Sequence, residues 1–94
     1  MLQEKHFTKE ICLHQKGMIP YVAYYVVKGG LKLLKRKGEP IVVASGEIIG
    51  LEEVWKNKPF NYKILTTPGT VLFYFDKSLL SNFEEALKMI HSLS

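Results

Sequence analysis

The chain has little of what marks a catalytic or metal-binding site. One cysteine occurs in 94 residues, Cys12. It has no partner for an internal disulfide and builds no metal site by itself, so the expectation is a small hydrophobe, buried or half-buried. One arginine occurs, Arg36, and lysine supplies the rest of the 13 cations. Nucleic-acid readers concentrate charge and lean on the arginine fork. Here the net charge of +4 is spread along the chain, apart from Lys35-Arg36-Lys37, which reads as a solvated turn. No apolar run has the length of a membrane span. The N-terminus, Met1-Leu2-Gln3-Glu4-Lys5-His6, mixes charges and lacks the apolar stretch of a secretion signal, so a cytoplasmic location is expected. There is no glycine-rich triphosphate loop and no His-x-His pair. Ser45, Ser78, Ser81 and Ser92 lack the setting of a nucleophile elbow.

What is present is a series of short apolar runs, rich in β-branched and aromatic residues. Between positions 24 and 53 they are cut by glycines at 29, 30, 38, 46 and 50. That is the pattern of a small antiparallel β-barrel. Residues 9–14 alternate, which predicts a first strand with Ile11 and Leu13 on one face and Cys12 and His14 on the other. Two such side chains are too few for a metal centre. Residues 21–28 predict a strong strand, with Val22, Tyr24 and Val26 opposite Ala23, Tyr25 and Val27. Gly29-Gly30 predict a sharp bend or bulge. Residues 36–39 read as a hairpin turn, 41–44 as the returning strand, and 48–49 as a short strand. Residues 51–55 form one helical turn, 60–66 a strand with Phe60, Tyr62 and Ile64 on one side, and 71–75 the last strand. Asp76 is a helix N-cap, and Phe83, Ala86, Leu87, Ile90 and Leu93 form a stripe at helical spacing.

Several segments follow one another in a telling order. Val27-Lys28-Gly29-Gly30-Leu31-Lys32-Leu33 precedes a hairpin, and Gly46-Glu47-Ile48-Ile49-Gly50 comes after it. Thr67-Pro68-Gly69-Thr70-Val71-Leu72 and Asp76-Lys77-Ser78-Leu79-Leu80 close the series. In this order and spacing the chain resembles the cyclic-nucleotide-binding domains of the catabolite-activator (Crp/Fnr-like) family. The resemblance covers most of the chain. It implies one domain over residues 1–94, mainly β with a C-terminal helix, built as a double-stranded β-helix (jelly-roll) barrel. It also implies that the segment after Gly50 is a phosphate-binding cassette. In such a cassette the amides of a short helix face a cyclic phosphate. A glutamate after the second glycine holds the ribose hydroxyl, and an arginine forks onto the phosphate oxygens.

Both side-chain positions depart from that pattern. Leu51 follows Gly50 where the glutamate belongs, and Glu52 comes one residue late, a rotation of about 100° on a helix. Where the arginine belongs the chain reads Lys58-Pro59-Phe60-Asn61. Lysine brings charge but no planar fork, and Phe60 is expected to fill the space from the apolar side.

The function expected is therefore a non-enzymatic regulatory or adaptor module that lacks standard cyclic-nucleotide binding. It acts by protein–protein interaction through Trp55 and Phe60 or through Phe83, Leu87 and Ile90 of the C-terminal stripe, which also offers a homodimer contact. The alternative is a sensor that binds a cyclic nucleotide or another anion at Gly50, Leu51, Glu52, Lys58 and Lys63. A metal-dependent cupin-type enzyme is the third reading and ranks last. No cofactor, metal or membrane association is expected. Because no second helical segment follows the stripe before Ser94, no DNA binding by this chain alone is expected either.

Overall fold

The glycine-cut apolar runs fold as the strands of two stacked sheets. The computed structural model describes residues 4–80. In chain order the strands are β1 Glu4–Phe7, β2 Cys12–His14, β3 Val22–Lys28, β4 Gly30–Leu34, β5 Ile41–Ala44, β6 Ile48–Ile49, β7 Lys63–Thr66 and β8 Thr70–Asp76. Two short helices, α1 Leu51–Lys56 and α2 Lys77–Leu80, follow β6 and β8. The first sheet has the order β1-β8-β3-β6 and the second β2-β7-β4-β5. All pairings are antiparallel. This is the mainly-β jelly-roll layout expected, as two facing sheets. The stripe residues Phe83, Leu87 and Ile90 lie outside the described residues.

Burial explains why β3 and β8 are nearly continuous apolar runs: both of their faces are covered. Tyr24, Val26 and Leu72 of the first sheet meet Leu31, Leu33, Val43 and Ile64 of the second in one core, which Phe60 joins from a loop. Ala23, Phe73 and Phe75 point the other way, against Val54 of α1, with Leu51 and Leu79 at the margin. Tyr24 packs edge-on to Tyr74, with ring centroids 5.2 Å apart. Burial pushes its phenol up to about 12, so the ring stays neutral in the core. None of the helices among the described residues is long and apolar enough to cross a membrane.

The chain passes from the first sheet to the second at Gly29. Its φ of 79° lies in the left-handed region, and a Cβ there would stand 2.9 Å from the Thr70 Cα. Only glycine fits both demands. Thr70, fully buried, fastens this corner. Its Oγ1 donates to Gly30 O at 2.8 Å and accepts from the N–H groups of Gly30 and Thr67 at 3.3 Å. Thr70→Val keeps the shape and strands those amides. It is expected to lower the unfolding free energy by about 1–3 kcal/mol in urea titration, with Thr70→Ser recovering most of the loss.

Three local expectations are corrected. The polar segment Glu4–Phe7 is a strand, paired to β8 from Glu4↔Phe73 to Phe7↔Thr70. Its single apolar residue hid the alternation. At the other corrected strand, a register shift between Cys12 and His14 sets Cys12 opposite Leu65 and His14 opposite Ile64. Adjacent β7 residues face opposite sides, so this bulge sends Cys12 and His14 to opposite faces, and Cys12 is exposed. Finally, Phe60 precedes its strand rather than opening it, because β7 begins at Lys63.

Candidate functional site

The cassette segment starts where β6 ends. Gly50 caps α1 in the left-handed conformation, φ 92° and ψ 4°, with no side-chain cap, and its carbonyl accepts the Val54 N–H at 2.9 Å. Such a backbone turn at a buried position favours glycine. Leu51, half-buried, packs with Val54 on the outer side of the first sheet. The helix ends at Asn57, also left-handed at φ 55°, whose N–H bonds Glu53 O. Asparagine tolerates that conformation better than most residues.

Phe60 dominates the site. Its side chain is 1% exposed, and its Cζ lies 2.8 Å from where a Cβ on Gly50 would sit. The ring therefore rests directly on the glycine that starts the cassette helix. His14 meets it edge-on at 4.9 Å, and Tyr62 lies tilted against it at 5.4 Å. Its backbone is held as firmly. Gly17 N–H donates to Phe60 O at 2.8 Å, and Phe60 N–H donates to Met18 O at 3.2 Å. His14 Nε2 donates to the same carbonyl at 2.7 Å. Residues 14–18 thus form a strap over the Phe60 segment. Nothing in the sequence marked His14 for this role, since a bond from an imidazole to a carbonyl four residues on has no motif.

The charges of the segment pair with one another. Glu52 Oε1 accepts from Lys58 Nζ at 3.1 Å and from Lys56 Nζ at 3.2 Å. The bond from Lys58, seconded by Lys56, holds the Glu52 carboxyl below the usual glutamate range. The pairs favour the carboxylate, so they operate above that range and are lost as pH falls through the lowered value. Lys58→Met should therefore raise the Glu52 titration midpoint, read by carbon-detected NMR, and an unmoved midpoint would show that the pair does not form in solution. Lys63 stands elsewhere, on β7 opposite Leu34 in the second sheet. Trp55, on α1, is 52% exposed. Of the candidate residues, the structure joins Glu52 to Lys58 and Gly50 to Phe60. It sets Lys63 on a strand of the other sheet, and it puts Phe60 in the core, where its ring is out of reach of a partner.

The overall fold is similar to that of solved structures of low sequence identity. The catabolite activator protein of Thermus thermophilus matches 98% of this chain with a TM-score of 0.76 and 12% identity. A protein of a cyclic-GMP-dependent signalling pathway that regulates bacterial phytopathogenesis matches 96% of it, with a TM-score of 0.80 and 11% identity. The half-site-occupied form of EAL enzyme Bd1971 matches 99% of it, with a TM-score of 0.76 and 19% identity. The fold is that of a cyclic-nucleotide-binding domain. This chain spans 46%, 75% and 93% of those three chains, respectively. No protein-family model and no curated protein matches the chain.

Gly50 and α1 are the segment that the resemblance marks as a cassette, and the loop at residues 57–62 follows them, with the Phe60 ring on Gly50. Where the resemblance expects an arginine, residues 58–61 carry one cation, Lys58. Glu52, one residue after the position where the resemblance expects a glutamate, pairs with Lys56 and Lys58.

Proposed function

We propose that this chain is a non-enzymatic regulatory module that docks a protein partner and has given up standard cyclic-nucleotide binding. The observation that carries the reading is Phe60, packed onto Gly50 from inside the core. A cyclic phosphate needs a cationic fork beside the helix amides. The ring contributes no charge, and Lys58 is already engaged by Glu52.

Docking is supported by apolar side chains left at the surface around the same segment. Trp55 projects from α1, and Met18, Ile19 and Tyr21 are exposed in the loop that is strapped to Phe60. Large aromatic side chains such as Trp55 and Tyr21 are the residue types that dominate protein interfaces. Phe83, Leu87 and Ile90 belong to the same reading as a second contact, to a partner or to another copy. The setting proposed is the cytoplasm, where an exposed lone thiol such as Cys12 stays reduced.

Titration calorimetry with cyclic mononucleotides and cyclic dinucleotides is expected to give no saturable heat. A saturable heat that Gly50→Pro abolishes would replace this reading with that of an anion sensor. A photoreactive residue at position 55 is expected to crosslink one defined protein, and Trp55→Ala should lose that protein without a change in thermal midpoint.

A further inference from the structure

Among the described residues four strands form the edges of the two sheets: β1 and β6 in the first, β2 and β5 in the second. An edge strand offers unpaired N–H and C=O groups to any other strand unless something blunts it. Three of the four are blunted. β1 carries Glu4, Lys5 and His6, β6 is two residues long, and β2 is three residues long with a bulge. β5 has no such protection among the described residues. It reads Ile41-Val42-Val43-Ala44, without charge or internal proline, in unbroken register with β4 from Gly30↔Ala44 to Leu33↔Ile41. Ile41 and Val42 are exposed, Val42 to 68%.

The charges at the two ends of β5 identify the occupant. The turn entering it carries Lys35, Arg36 and Lys37 against one acid, Glu39, all exposed, so it is net basic, and the corner leaving it carries exposed Glu47. That corner is held in place by Gly46 N–H on Val26 O and Val26 N–H on Glu47 O, at 2.8 and 2.9 Å. An antiparallel partner of the same sequence, centred on Val42, sets Val42 against Val42 and Ile41 against Val43. It lays each basic turn beside the acidic corner of the other copy. A parallel copy would instead set like charges together. Lys32, next to Val42 on β4, is paired with Glu10 at 3.7 Å, which spares the seam a bare repulsive charge.

We propose that β5 is a self-association edge, pairing antiparallel with β5 of a second copy about a two-fold axis at Val42 and joining two second sheets into one. The contact is isologous, the commonest symmetry of homodimers. It is narrow, so the association is weak and reversible.

Sedimentation velocity of the full chain, from micromolar to millimolar concentration, is expected to show a monomer–dimer equilibrium. Val42→Lys should weaken it at least about tenfold, because two added charges meet directly across the strands. Since Val42 is exposed, that variant should melt like the parent. Lys37→Glu and Glu47→Lys should each weaken the dimer, and the double exchange should restore it. A monomer at every concentration overturns the proposal. So does a dimer indifferent to Val42→Lys, which sits on another face, and so does a double exchange that fails to restore. An edge that takes up only an acidic extended peptide, and no second copy, overturns it as well.

Discussion

Phe60→Ala is expected to lower the unfolding free energy by about 3–5 kcal/mol, the cost of emptying a large, fully buried aromatic site. For a domain whose total stability is of order 5–15 kcal/mol, that is a large share. The loss has three parts. The ring leaves the core it shares with Tyr24, Leu33 and Ile64. His14 and Tyr62 lose the aromatic face they pack on. Gly50 also loses the atom that closes against it. Urea unfolding followed by far-ultraviolet circular dichroism measures the effect. Phe60→Leu should recover most of it, because the site needs volume more than aromaticity. A loss under about 1 kcal/mol for alanine would show that the ring is not part of the core. Placing arginine at position 60 should be as damaging as alanine or worse, because its charge would enter the apolar cluster of Tyr24, Leu33 and Ile64.

Gly50→Ala is expected to rank second. The position has φ 92°, where a side chain costs about 1–3 kcal/mol of backbone strain. The added methyl would also meet the Phe60 ring at 2.8 Å, and overpacking of this kind adds a similar amount. The two terms separate in a cycle. Gly50→Ala made in a Phe60→Leu background should cost less than in the parent, since the clash is relieved and only the strain remains. Equal costs in both backgrounds would mean that ring and glycine do not touch in solution. Together the two variants test the central contact of the molecule from both sides.

The strands were legible where apolar residues alternate strongly or run together between glycines. Residues 22–28 and 71–75 announced themselves because both faces of β3 and β8 are covered. Gly29 and Gly50 were legible as turns because their positive φ leaves few alternatives. β1 was hidden, since Glu4, Lys5 and His6 face solvent or its margin and only Phe7 marks a buried side. The bulge at Leu13 was hidden for a different reason. A one-residue slip changes which faces Cys12 and His14 occupy, and it is set by pairing with β7, fifty residues away. At the site, the lack of a forked cation among residues 58–61 could be read along the chain. The burial of Phe60 could be anticipated, but the strap through His14 and Met18 could not, because long-range packing chose it.

The contact between residue 60 and Gly50 has a consequence for signalling. A receptor that depends on a diffusing metabolite alternates between an empty and a loaded form, and its response follows the concentration of that metabolite. Under the proposed function the occupant is part of the polypeptide, so its supply never varies. Such a domain stays permanently in one form, and control over it has to come from outside: from how much of it is made, and from what meets it at the surface.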